Sequence, residues 1–393
     1  NSIGNGIDLT YSLISSYSKL SSGYKDTGSI QNPSSIFQST VTEILNLYSS
    51  VSLLSFSEVS ETGDTTGHIR IGTSTGPPTE AYAWYPYPNF YASGDIWLKS
   101  ETDNYNKSPK LVDGTYWNAA IVHEIGHSLG LAHPHEAETI NGKTYGTNVS
   151  SGEVHSSLPY SIMSYAEYVG ETIGSSSNNY SKPTTLMIDD IAALQYLYGI
   201  NEQYNAGDNL YTLGSFSKDS LDYVYASIWD AGGNDTFSWA DQSTIGAIDL
   251  NPGSFSCFGN ISSVKDTDLA SNTWSAGDGL LGIAYNANIE NAIGGSASDT
   301  IAGNSSANTL YGGAGAGVKD TLTGNGGADI FVCSLSDAST DLSVADIISD
   351  FTDGSDKIGL EDRTFSNLAI SNGTGSYSGD TQIVDSSSGK VLF

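Results

Sequence analysis

The eleven residues from His123 to His133 read HEIGHSLGLAH and hold three of the six histidines in the chain. Five specified positions, H-E-x-x-H-x-x-G-x-x-H, arise by chance on the order of once in 10⁵ chains of ordinary residue usage. His123 and His127 lie four apart, so on a helix they project from one face, one turn apart. Both imidazoles can then reach one metal ion. Glu124 is not needed as a ligand, and its carboxylate can hold and deprotonate a metal-bound water. Gly130 is placed to end the helix, because glycine takes the left-handed conformation without a Cβ clash. The chain then turns back and His133 supplies a third nitrogen. Three neutral histidines plus one water make an open catalytic zinc site rather than a closed structural one.

A second element lies downstream, Ser161-Ile162-Met163-Ser164-Tyr165, and it contains one of only two methionines. Together the two stretches resemble the metzincin clan of zinc endopeptidases, and the serralysin family in particular. Asp190 to Gly199 (DIAALQYLYG) is similar to the helix that closes the serralysin catalytic domain. The resemblance implies that Met163 lies beneath the zinc histidines in a Met-turn. It also implies that Tyr165 joins His123, His127 and His133 on zinc at rest and swings out to the tetrahedral oxyanion. The implied reaction is peptide-bond hydrolysis in protein or peptide substrates by a zinc-bound water. Glu124 would be the general base, and Glu124 and Tyr165 the catalytic pair.

The formal net charge is -30, from 44 acidic and 14 basic residues, which argues against nucleic acid and anionic membranes as partners. No run of 18 apolar residues exists, so no transmembrane helix is expected. The start, Asn1-Ser2-Ile3-Gly4, has neither a basic n-region nor an apolar h-region and reads as a mature form. The resemblance implies a secreted, extracellular bacterial protein, exported in one step by a C-terminal signal, and a monomer is expected. The chain ends Lys390-Val391-Leu392-Phe393, which fits the family's acidic and apolar ending loosely. Cys257 and Cys333 allow one pairing and have no family role, and neither has a histidine or basic neighbour to activate it.

With 393 residues the chain can hold two domains with real cores. Pro33 is expected to open a helix. Phe37, Val41, Ile44, Leu45 and Tyr48 follow at the spacing of one apolar face. Strand-like runs cover 51–59, 67–72, 81–85 and 94–98. Helix, strands, then the zinc helix is the metzincin order, implying an α+β domain with a mixed twisted sheet over residues 1–200. Ala81-Tyr82-Ala83-Trp84 matches the family's substrate edge strand, where a peptide is bound as an added antiparallel strand. His135 departs from the family pattern, which has glycine there, and reads as a surface residue. So do His68 and His155.

After residue 200 the texture changes to glycine-rich nonapeptides starting at Gly294, Gly303, Gly312 and Gly324. The consensus G-G-x-G-x-D-x-U-x makes a parallel β-roll, whose turn carbonyls and aspartates bind calcium. An all-β calcium-binding roll or sandwich is therefore expected over 201–393. Its ligands would include Gly295, Ala297, Asp299, Asn308, Gly313, Asp320 and Asp329. The eighth position, which fills the core, is read as Ile301, Leu310 and Ile330. Ala297 stands for a glycine and Asn308 for an aspartate, so fewer sites than usual should survive. Trp229 to Phe237 (WDAGGNDTF) is close to the serralysin pattern. That resemblance adds Asp230, Gly232, Gly233 and Asp235 with Asn205, Gly207 and Asn209, and Glu290 matches a further family ligand. Hard oxygen donors suit calcium rather than zinc. Two rival readings are a calcium-dependent adhesin with an inactive enzyme-like domain and a zinc amidase acting on cell walls. The intact His, Glu and Tyr set argues against the first, and the candidate edge strand against the second.

Overall fold

A computed structural model describes residues 3–16, 28–62, 65–76, 79–99, 114–140, 143–145, 154–166, 182–216, 225–258, 279–315 and 317–393. They fall into two compact units. The first is built from 3–204 and 225–227, the second from 205–216, 228–258 and 279–393.

In the first unit, strands β1 (Ile7–Leu13), β2 (Ile30–Gln31), β3 (Leu54–Glu58), β4 (Ile69–Ser74), β5 (Ala81–Ala83) and β6 (Ile96–Lys99) form one sheet. Its order is β3-β1-β4-β6-β5, with β2 alongside β4. β1 runs parallel to β3 and β4, and β4 parallel to β6. β5 closes one edge antiparallel to β6, with Tyr82 opposite Trp97. The sheet is thus mixed, as expected. β4 is buried at every residue, as a strand inside a covered sheet should be.

Helix α1 spans Ser35–Val51 and buries Phe37, Val41, Ile44, Leu45, Tyr48 and Val51 along one face. Ser34 caps it, its hydroxyl accepting from the Phe37 amide at 3.2 Å. Pro33 therefore precedes the cap instead of lying in the first turn. The hydroxyl satisfies an orphan amide, which proline cannot do. Helix α2 is Tyr116–Ser128 and helix α3 is Ile188–Tyr198. Gly199 ends α3 at φ 85°.

The second unit contains a β-roll of short parallel strands that alternate between two sheets. Ile248, Ile301, Leu322 and Ile348 stand in register in one. Tyr211, Phe237, Ala292, Leu310, Phe331 and Ile358 stand in register in the other. Ile301, Leu310, Leu322 and Phe331 are fully buried. Each follows Asp299, Asn308, Asp320 or Asp329 by two residues. Ile330 is 37% exposed, so the core residue of that repeat is Phe331 and not Ile330. Side chains alternate across a strand, and counting from the turn aspartate decides which of two adjacent apolar residues points inward. Cys257 and Cys333 are buried and are not joined by a disulfide.

Candidate active site

Helix α2 carries His123, Glu124 and His127. Thr115 caps its start, the hydroxyl accepting from the Asn118 amide at 3.4 Å. Past its end Gly130 takes φ 95°, a left-handed conformation that glycine alone adopts without strain, and the chain doubles back to His133.

All three imidazoles are held at Nδ1. His123 Nδ1 donates to the Ile162 carbonyl at 2.9 Å and His127 Nδ1 to the Leu131 carbonyl at 2.8 Å. His133 Nδ1 donates to Glu136 Oε2 at 3.0 Å. Each Nε2 is left as an acceptor, because these partners fix the tautomer. The three Nε2 atoms face one another, His133 lying 3.1 Å from His123 and 3.0 Å from His127. Ligands 2.0–2.1 Å from a tetrahedral zinc stand about 3.3 Å apart, so this triangle fits the ion. Burial pushes His123 well below its usual range, helped by His127 beside it. His127 falls to about 4, by burial and then by His133. Both are therefore neutral at pH 7, the form that binds metal.

Glu124 is buried, and its Oε2 has no hydrogen-bond partner among the described residues. Burial alone lifts its pKa to about 8. A cation nearby would favour its charged form and bring it down again.

Met163 is fully buried and packs against Gly126 of α2. A Cβ added at Gly126 would come 2.6 Å from the Met163 sulfur, so the glycine makes room for the thioether. Asp190, at the start of α3, pins this turn. It accepts from the Ser161 hydroxyl at 2.7 Å, the Ile162 amide at 2.8 Å and the Met187 amide at 3.0 Å. The same Ile162 presents its carbonyl to His123. Tyr48 on α1 braces α2 by donating to the Val122 carbonyl at 2.6 Å. Sequence reasoning assigned no role to Asp190, Glu136 or Tyr48. An aspartate three residues into a helix was the one available signal.

Tyr165 is half exposed, its ring 4.5 Å from that of His133 and 5.6 Å from that of His123, nearly parallel to the latter. His135 is not on the surface. It is 6% exposed and stacks on His133 at 5.1 Å, with Tyr165 at 4.9 Å. The turn closed by the Glu136 amide on the His133 carbonyl folds it back onto that ring. His68 bonds Thr10 and His155 pairs with Asp189 at 2.7 Å, both in exposed surroundings.

Ala81, Tyr82 and Ala83 form the edge strand β5, with Trp84 just beyond it and partly exposed. Tyr85 carries this segment to the histidines, its ring 5.2 Å from His127.

In the second unit Asp230 and Asp235 are buried, and Asp235 Oδ2 accepts no hydrogen bond among the described residues. Asn205 takes φ 51°, and Gly232 and Gly233 take 139° and 150°. The Asn209 side-chain oxygen faces the Gly207 and Asn205 carbonyls as a third hard donor; turned over, the amide nitrogen would donate to them at 2.5 Å and 3.0 Å. The Asp235 amide donates to Glu290 at 2.8 Å. Burial, with Asp230 and Glu290 nearby, raises Asp235 to about 6.

Along the roll each turn carboxylate accepts from the backbone of the preceding coil. The Asp299 amide donates to Asp320 at 2.7 Å and the Asp320 amide to Asp346 at 2.9 Å. The Asn308 amide donates to Asp329 at 2.8 Å and the Asp329 amide to Asp356 at 3.0 Å. Asp346 and Asp356 thus extend a ladder that sequence reasoning ended at Asp329. Burial raises Asp299 to about 6 and Asp320 to about 8, the latter with Asp346 and Asp299 adding. Asn308 is different. Its Oδ1 accepts from the Asn304 amide, and its Nδ2 donates to the Glu290 carbonyl and to Asn304. Gly313 packs within contact of the Gly294 and Gly295 backbone, and Gly295 donates to Asp299. Ala297 lies in the same turn.

Comparison with known proteins matches residues 25–161 to Matrixin and residues 190–387 to the Peptidase M10 serralysin C-terminal family. Serralysin C of Dickeya chrysanthemi is 37% identical over 319 residues, 77% of this chain and 60% of that protein. Metallopeptidase AprA of Pseudomonas marginalis is 33% identical over 386 residues, 91% of this chain and 74% of that one. Serralysin of Proteus mirabilis is 33% identical over 286 residues, 68% of this chain and 53% of that one. The match therefore spans from about half to three quarters of these relatives' own length.

Proposed function

This chain belongs to the serralysin family of metallopeptidases, and on that premise we propose that it is a secreted zinc endopeptidase acting on protein substrates. One observation carries the reading: the Nε2 acceptors of His123 and His127 both lie within 3.1 Å of that of His133, while every Nδ1 proton is already committed to a protein oxygen. Acceptors so placed repel one another unless a cation lies between them. Zinc held by His123, His127 and His133 would supply a Lewis acid that polarises a peptide carbonyl and acidifies water.

The chain's own residues do the rest. Glu124 accepts the proton of the attacking water and hands it to the leaving amine. Tyr165 serves as a resting ligand and then as a donor to the developing oxyanion. Ile162, Leu131 and Glu136 keep the three rings turned so that Nε2 faces inward. Strand β5 offers its free edge to an extended substrate backbone. The catalytic domain is residues 1–200. Residues 201–393 form a domain stabilised by calcium held at Asp230, Asp235, Glu290, Asp299, Asp320 and Asp329, with Asn205, Gly207, Asn209 and the glycine turns. The buried Asp235 oxygen that accepts no hydrogen bond among the described residues supports calcium there. Asn308, already fully hydrogen-bonded, supports a turn that closes without an ion.

Glu124→Gln tests the reading. Zinc content and fold should be unchanged, and casein hydrolysis should fall to near background, because the amide keeps the shape but cannot take the proton. A zinc-loaded Gln variant with normal turnover would remove Glu124 as the base.

A further inference from the structure

We propose that His135, Glu136 and His133 form a second divalent-cation site beside the three-histidine centre, and that zinc bound there inhibits the enzyme. The proposal rests on the peptidase reading only for its inhibitory consequence.

His135 is the starting point. Its side chain is buried, yet neither ring nitrogen has a hydrogen-bond partner among the described residues. A buried imidazole with two idle nitrogens is costly unless something completes it. The nearest candidate is Glu136 Oε1, 3.7 Å from His135 Nε2, too far for a hydrogen bond. That separation does suit two donors sharing one ion, since ligands on a tetrahedral zinc stand about 3.3 Å apart. His133, His135 and Glu136 each offer a ligand atom, and the three atoms lie within 4.8 Å of one another. Two imidazoles and one carboxylate select zinc and similar transition ions over calcium. Half of the Glu136 side chain is exposed, which gives an ion a way in and leaves a position for water.

The consequence follows from what Glu136 already does. Its Oε2 holds His133 Nδ1 at 3.0 Å and so orients a ligand of the first centre. An ion there takes this carboxylate and displaces the Nδ1 proton of His133 to water, so that His133 bridges the two centres as an imidazolate and is drawn away from the first. Outer partners of ligating histidines typically matter 10- to 100-fold in metal affinity or activity, so occupancy should lower turnover by at least about tenfold.

The test uses the full chain loaded with one equivalent of zinc, in saturating calcium. Zinc uptake is measured by equilibrium dialysis with mass-spectrometric metal analysis, and peptide hydrolysis is followed in parallel. The wild type should take up a second equivalent in the micromolar range, with hydrolysis falling over the same range. His135→Asn should keep the first equivalent and full hydrolysis, lose the second, and resist inhibition. Glu136→Gln should also lose the second equivalent, which checks the site if the Asn variant folds poorly. Uptake of only one equivalent by the wild type would overturn the proposal. So would a second equivalent and unchanged inhibition in His135→Asn, because the inhibitory ion would then belong to the first centre. Stoichiometry is read without turnover, so a chain that is inactive at one equivalent and still binds a second would refute the peptidase reading and leave this site standing.

Discussion

Removing calcium should leave the roll with an inverted pH dependence, least stable under mildly alkaline conditions. Asp320 has its pKa lifted to about 8 and Asp346 to about 6, both chiefly by burial, with Asp346 and Asp299 adding for Asp320. An unfolded chain releases these protons near 3.9. Raised native values mean that the folded state binds the extra protons. Their stabilisation is complete below the unfolded pKa and is lost as pH climbs through about 6 and then 8. Between pH 5 and pH 8 Asp320 alone spans about three units, an upper figure of about 4 kcal/mol at 1.36 kcal/mol per unit. Screening by nearby water reduces this to on the order of 2 kcal/mol, or about 4 to 8 °C in Tm for a unit of this size. The assay is scanning calorimetry, with limited proteolysis of residues after 201, on chelated protein at pH 5 and pH 8. Millimolar calcium should abolish the difference by neutralising the same carboxylates. Asp320→Asn should flatten the chelated profile. A chelated protein equally stable at both pH values, or more stable at pH 8, would refute the assignment of these aspartates as buried, unneutralised ligands.

Three further outcomes are expected. Tyr165→Phe should lower kcat about 10- to 10³-fold with a smaller change in KM, in steady-state peptide hydrolysis, because one transition-state donor is lost. Asp190→Ala should weaken zinc affinity by about 10- to 100-fold in competition with a chelating dye, because the Ile162 carbonyl that orients His123 loses its anchor. Unchanged affinity would make Asp190 a matter of folding only. Phe331→Ala should cost about 3–5 kcal/mol in denaturant unfolding and Ile330→Ala under about 1 kcal/mol; the reverse order would contradict the strand register.

The zinc-binding stretch was legible because its chemistry is local. His123, Glu124, His127, Gly130 and His133 are tied by helical spacing and one glycine turn. The partners that make those rings useful are less so. Asp190 reaches Ile162 across 28 residues, and no periodicity announces that pairing. His135 looked like surface because His123, His127 and His133 already fill the three histidine places of the zinc set. Its burial comes from stacking on a ring two residues earlier, a tertiary choice. The β-roll was legible from glycine punctuation, but the inward member of Ile330-Phe331 was not fixed by hydrophobicity, since both are apolar. The count from Asp329 decides it. Pro33 misled by two positions because a serine able to cap the helix followed it, so that the helix begins at Ser35.

The carboxylate ladder has a direction. Each rung lends its oxygen to the backbone of the coil before it, so a coil becomes complete only when its successor arrives. Such a stack behaves like a one-dimensional chain of nearest neighbours, in which order spreads from wherever a pair of coils first closes. Growth toward the amino end is templated by rungs already laid, among them Asp346 and Asp356. Damage at one rung is felt by its immediate neighbour and fades beyond it. Loss of a late rung, by contrast, leaves the preceding coil with an unanswered amide and frays the stack from that end.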